Sequence, residues 1–124
     1  MKDEPISEKK RVLAVDDEPA ILNFVGKSLA LAGYEVVTTD DAEEAIALAE
    51  SEKPDVVLLD VVMGNMTGFE ITERIRSFSQ VPIIVFTARS QVAEIAVEAG
   101  ANACISKPFK PQELIDKIEE VLAI

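Results

Sequence analysis

Residues 56–68 read VVLLDVVMGNMTG. Four aliphatic residues in a row, Val56–Leu59, end at Asp60, and the next helical pattern opens only near Gly68. A strand with one wet face alternates polar and apolar side chains. An uninterrupted apolar run reads instead as a strand covered on both faces, in the middle of a sheet. The ordinary use of a strand-end aspartate is to cap the helix that follows. Here that helix begins several residues later, so capping does not explain Asp60.

The same punctuation recurs along the chain. Val12–Val15, Val36–Thr38, Ile83–Phe86 and Ala103–Ile105 are short apolar runs that end in polar or turn residues, with helical patterns between them. Pro19 stands near the start of a segment in which Leu22, Val25, Leu29 and Ala32 share a face, and Gly33 supplies a stop. Asp41 and Glu44 have capping-box spacing ahead of Ala42, Ala45, Ile46 and Ala49. A third helix is predicted from about Gly68 to Ser77. A short stripe of Val92, Ile95, Ala96 and Ala99 ends at Gly100, and Pro111 opens a last helix with Ile115, Ile118 and Leu122 inward. The order is βα repeated, which predicts an α/β fold with one doubly wound parallel sheet of five strands, order 2-1-3-4-5. Residues 1–10 read as a solvated tail, and 11–124 as one domain.

Composition agrees. At 124 residues the chain fits one domain, long enough to bury roughly two-thirds of its unfolded surface. Hydrophobic residues make up 48% but aromatic ones only 5%, so the core must be aliphatic. A net charge of −11 argues against direct binding to nucleic acid or an anionic membrane. The N-terminus lacks the apolar run of a signal peptide and no stretch is long enough to span a bilayer, which predicts a soluble, cytoplasmic protein. The single cysteine, Cys104, reads as a small buried hydrophobe in a reducing compartment. Histidine is absent, which excludes His metal ligands and His-activated nucleophiles.

In an open sheet of this order ligands bind beyond the carboxyl ends of the strands, where the winding reverses. Asp16 and Asp17 follow the first strand, Asp60 the third, Thr87 the fourth and Lys107 the fifth. Three carboxylates in one crevice repel by about 4 kcal/mol per close pair at an effective dielectric near 20. Lys107 offers one compensating charge, and an all-oxygen donor set points to a hard cation, Mg²⁺. One aspartate is then left as a nucleophile, and Asp60, alone at the end of the central strand, is the candidate. Singly, each residue has a plainer reading: Asp17 or Glu18 as a cap of the first helix, Lys107 as a solvated lysine. Their agreement at four strand ends is what points to a site.

These segments resemble a known family. Val12–Pro19 (VLAVDDEP), Val56–Met63 (VVLLDVVM) with Met66 and Gly68, Thr87-Ala88-Arg89, Gly100-Ala101 and Lys107-Pro108-Phe109 are together similar to the receiver domain of two-component response regulators. The resemblance covers residues 11–124 and implies a flavodoxin-like (βα)5 fold and a phosphorelay function. It implies that Asp60 takes phosphate from a partner's phosphohistidine and that Asp17, Asp60 and the Val62 carbonyl bind Mg²⁺, with Asp16 acting through water. It also implies that Thr87 and Lys107 contact the phosphoryl oxygens and that the Lys107–Pro108 peptide is cis. The domain so read is a switch that assists its own phosphorylation and dephosphorylation rather than an enzyme acting on other substrates. The implied partner is a histidine kinase or histidine phosphotransfer protein, and a phosphorylation-dependent homodimer is a further assembly to test.

Three departures bear on the switch. Gly64 and Thr67 stand where the family often has Pro and Asp. Cys104 stands where it often has Tyr or Phe, so readout is expected through Thr87–Ser90 and residues 92–99 instead. Thr87 to Lys107 spans only 20 residues, which predicts an abbreviated fourth helix. Phe24, off the buried stripe of the first helix, is expected to form an apolar patch with Ile21 near Pro108 and Phe109, where a kinase would dock. Competing readings are weaker: the connections are too short for the cap of a small-molecule phosphatase, and a flavodoxin-type cofactor phosphate would meet Asp16 and Asp17. A phosphorylation-independent module of the same fold would not need all five site residues.

Overall fold

The computed structural model describes residues 9–63, 66–87 and 97–123, with the backbone alone at 62, 63 and 87. The strands are β1 (Arg11–Val15), β2 (Glu35–Thr39), β3 (Val56–Asp60), β4 (Val62–Met63), β5 (Met66–Thr67), β6 (Ile83–Thr87) and β7 (Ala103–Ser106). The helices are α1 (Pro19–Leu31), α2 (Ala42–Ser51), α3 (Gly68–Arg76) and α4 (Pro111–Leu122). The main sheet is parallel, in the order β2-β1-β3-β6-β7. With β4 and β5 set apart as an antiparallel ribbon, this is the predicted 2-1-3-4-5 order.

Alternate side chains of each central strand serve opposite layers, as strand geometry requires. Leu13, Val15, Val57, Leu59, Ile83 and Val85 pack under α2 and α3 against Ala45, Ile46, Ala49, Ile71 and Ile75. Val12, Ala14, Val56, Leu58, Ile84, Phe86 and Ile105 pack under α1 and α4 against Val25, Leu29, Leu114 and Ile118. All five residues of β3 are buried, whereas in the edge strand β2 only Thr39 is buried, Val36 and Val37 are half-covered and Glu35 and Thr38 are exposed.

Several local expectations need correction. Ala32 is the exposed C-cap of α1 rather than part of its buried face, because Gly33 at φ +96° already turns the chain away. In α4, Leu114 and Ile118 are the fully buried pair, with Ile115 and Leu122 half-covered. Only half of the capping box at Asp41 forms: its carboxylate accepts from the Glu44 amide at 2.8 Å. The Glu44 side chain accepts instead from the Thr39 hydroxyl, which leaves the Asp41 amide to donate to Thr39 Oγ1 at 3.1 Å. The reciprocal box lies at α3, between Thr67 and Glu70. The β4–β5 ribbon had no counterpart in the sequence reading. Residues 1–8, Gly64, the stripe residues Val92, Ile95 and Ala96, and the connection 88–90 lie outside the described residues.

Candidate functional site

Parallel strands all end on one edge of the sheet, so the residues that follow β1, β3 and β7 meet there. Asp16 is fully buried and Asp60 nearly so, while Asp17 is exposed. Their carboxylate oxygens come within 4.8 Å of one another, a group that could hold a metal ion. Lys107 Nζ lies 3.2 Å from Asp16 Oδ2 and 3.3 Å from Asp60 Oδ1, bridging the ends of β1 and β3. The Lys107–Pro108 peptide is cis.

Asp16 is doubly committed. Its Oδ1 accepts from the Glu18 amide at 2.9 Å and its Oδ2 faces Lys107. The bond to the Glu18 amide closes a turn just ahead of α1 rather than capping it; Glu18, one of the two caps the sequence offered, occupies the N-cap but its side chain makes no capping bond. Among the described residues, Asp17 and the second oxygen of Asp60 have no hydrogen-bond partner.

The electrostatics follow from this crowding. Burial pushes the Asp60 carboxyl above its ordinary range, and the neighbouring Asp16 charge adds to that, with Lys107 opposing. Burial alone would lower the Lys107 ammonium, but the carboxylates of Asp60 and Asp16 outweigh it, and the net shift is upward. Lys107 is thus a fixed positive charge at the site.

Thr87 is the last residue of β6, at the same edge of the sheet; its side chain lies outside the described residues, as does that of Val62, whose backbone runs in β4. Three neighbours escaped the sequence reading. Glu18 Oε1 comes within 3.9 Å of Lys107 Nζ. The Phe86 ring lies 6.0 Å from the same ammonium. Gly68, noted as a helix start and as part of a motif but not as a neighbour of the site, presses on the backbone of Asp60: a Cβ there would stand 2.5 Å from the Asp60 carbonyl oxygen. Strand periodicity places Phe86 in the core but not beside a lysine 21 residues away in sequence.

The family model for the response regulator receiver domain matches residues 12–119. The chain belongs to that family. Among its relatives, the probable transcriptional regulator ycf27 of Guillardia theta is 44% identical over 92% of this chain and 46% of its own length. The alkaline phosphatase synthesis transcriptional regulatory protein PhoP of Bacillus subtilis is 35% identical over 91% of this chain and 48% of its own. The chain thus spans about half the length of the curated relatives it matches. Among solved structures, the chemotaxis protein CheY4 of Vibrio cholerae superposes with a TM-score of 0.86 at 37% identity, covering 91% of this chain and 98% of that one. The chain is therefore a receiver domain of the two-component response regulators, a switch domain with the CheY-like fold. Among the described residues no helix is long and apolar enough to cross a membrane.

Proposed function

We propose that Asp60 accepts a phosphoryl group from a phosphohistidine of a histidine kinase or histidine phosphotransfer protein, in a Mg²⁺-dependent reaction that switches an output surface. The observation that carries this reading is the position of Asp60. It ends the central strand with one carboxylate oxygen 3.3 Å from Lys107 Nζ, inside a cluster of three carboxylates.

The donor set fits Mg²⁺: oxygens only, with both Asp16 oxygens engaged and, among the described residues, open oxygens on Asp17 and Asp60. Asp17, Asp60 and the Val62 carbonyl would hold the ion directly, with Asp16 through water. When bound, the ion supplies positive charge that offsets the carboxylates and the charge developing on the transferring oxygens. An Asp60 oxygen attacks phosphorus; the new O–P bond forms as the P–N bond of the donor breaks, and the electron pair leaves with the imidazole nitrogen, which takes up a proton. Lys107 already faces the attacking carboxylate and would follow the phosphoryl oxygens. The Thr87 hydroxyl would hydrogen-bond one of them. The cytoplasm, where phosphohistidine donors and free Mg²⁺ coexist, suits this chemistry.

Incubation with a small phosphodonor and Mg²⁺, read by intact mass, tests the reading. One phosphoryl group should appear on the wild type and none on Asp60→Asn, which keeps the shape but removes the nucleophile. An undiminished adduct on that variant would place the acceptor elsewhere.

A further inference from the structure

Behind Lys107 runs an unbroken line of aromatic rings. Phe86, at 1% exposure, is tilted against Phe109 with centroids 5.0 Å apart, and Phe109 stacks on Phe24 at 6.0 Å. Phe24 lies on α1 and is 37% exposed. The line thus leads from a half-buried ammonium beside two carboxylates to the outer face of a helix. It lies in the layer under α1 and α4, whereas Cys104 of β7 packs on the other layer, under α2 and α3.

Two connections join this line to the acceptor site. One is through space, from Lys107 Nζ to the Phe86 ring. The other is along the chain, since Phe109 follows Lys107 by two residues. A phosphoryl group on Asp60 replaces one carboxylate charge with up to two on the phosphoryl oxygens, a net gain of about one negative charge placed farther out beside Lys107. The ammonium now balances Asp16 and Asp60 at nearly equal distances, 3.2 and 3.3 Å, so the added charge draws it towards the phosphoryl side. Phe86 is buried in the core, and close-packed rings pass on a displacement rather than absorb it.

We infer that the α1 surface at Phe24 reports the phosphorylation state of Asp60 through Phe86 and Phe109, an inference that rests on Asp60 being the acceptor. A donor protein seated on Phe24 would then lose its fit once transfer is complete, so the same contact that recruits it would release it.

The chain contains no tryptophan, so F24W introduces a single reporter. Its emission should change when a small phosphodonor and Mg²⁺ are added, in step with the adduct measured by mass. A tryptophan at Leu31, on the same helix, 91% exposed and off the aromatic line, should not respond. Adding F109L to F24W should remove most of the response while the adduct still forms. An adduct with unchanged F24W emission overturns the inference, as does a response that survives F109L or appears equally in L31W. Failure of the adduct to form on Asp60 in the wild type instead sinks the acceptor reading, and the inference with it.

Discussion

Gly68→Ala probes how Asp60, the proposed acceptor, is held in place. Gly68 opens α3, and its amide donates to the Val61 carbonyl at 2.6 Å. A Cβ at this position would lie 2.5 Å from the Asp60 carbonyl oxygen and 2.9 Å from Val61 Cα, where ordinary contact begins at 3.4 Å. Both neighbours are backbone atoms and cannot rotate away, so α3 and the end of β3 must separate by most of an ångström. Overpacking of this kind costs about 1–3 kcal/mol. Alanine returns at most about 1 kcal/mol through helix propensity and reduced freedom of the unfolded chain. The net loss should be about 1–2 kcal/mol, or roughly 3–10 °C in Tm for a domain of this size. Because the displaced atom belongs to Asp60, phosphorylation by a small donor should also slow, by about 10–100-fold if the carboxylate moves by close to 1 Å. Gly26 is the matched control: it lies inside α1 with nothing within 4 Å of its would-be Cβ. Gly26→Ala should stabilise by about 0.5–1 kcal/mol and leave the adduct rate alone. Urea denaturation and timed intact-mass spectra measure both quantities. A Gly68→Ala variant as stable as wild type, with an unchanged rate, would refute the close approach.

The other predictions concern charge and docking. Asp17→Ala should weaken Mg²⁺ binding by at least roughly tenfold, since it removes an open carboxylate; an unchanged metal titration would remove Asp17 from the site. In metal-free buffer Asp60→Asn should raise stability at neutral pH. The folded-state pKa of Asp60 lies above its unfolded value, so the ionised carboxylate opposes folding, and that penalty disappears as pH falls through the folded pKa. The advantage of Asn should therefore shrink on acidification, and denaturation curves in which it grows would contradict the sign. Phe24→Ala should slow transfer from a histidine kinase or phosphotransfer protein but not from a small donor; equal slowing of both would exclude docking at Phe24.

Much of this was legible in the sequence. Uninterrupted apolar runs identify β1, β3 and β6 as interior strands, and the repeated βα order with right-handed crossovers gives the strand order that brings Asp16, Asp17, Asp60 and Lys107 to one edge. What stayed hidden depends on side-chain direction and on contacts between residues far apart in sequence. The Asp41–Glu44 spacing is that of a capping box, yet Thr39, two residues upstream, offers Glu44 a better partner. Arg76 reads as a surface residue in the last turn of α3. In the structure its guanidinium donates to the carbonyls of Gly100 and Ser79 and to Asn102 Oδ1, tying α3 to the entrance of β7. No periodicity encodes such a tie. Nor does it encode the ribbon Val62–Met63 with Met66–Thr67, whose strands are two residues long and follow no alternating pattern.

Under the proposed acceptor role, the raised pKa that Asp60 has without a bound cation links stability to reactivity. Two carboxylates of a cluster of three face the Lys107 ammonium at the edge of a core whose described buried polar side-chain atoms all have partners. The fold therefore holds Asp60 where its charge is disfavoured, first by burial and then by Asp16. A carboxylate held above its ordinary pKa is more basic, and greater basicity makes its ionised form a better nucleophile towards phosphorus. For the proposed reaction Lys107 must not cancel this: an ammonium given wholly to Asp60 would quench the proposed nucleophile, and one given wholly to Asp16 would leave the incoming oxygens without a counter-charge. Near-equal sharing between the two avoids both outcomes. Asp16 makes that sharing possible because its other oxygen is fixed by the Glu18 amide, so that it cannot swing away with the lysine. Complete burial of Asp16 beside an exposed Asp17 thus gives the two acidic neighbours different roles, the first anchoring the lysine and the second remaining available for a cation.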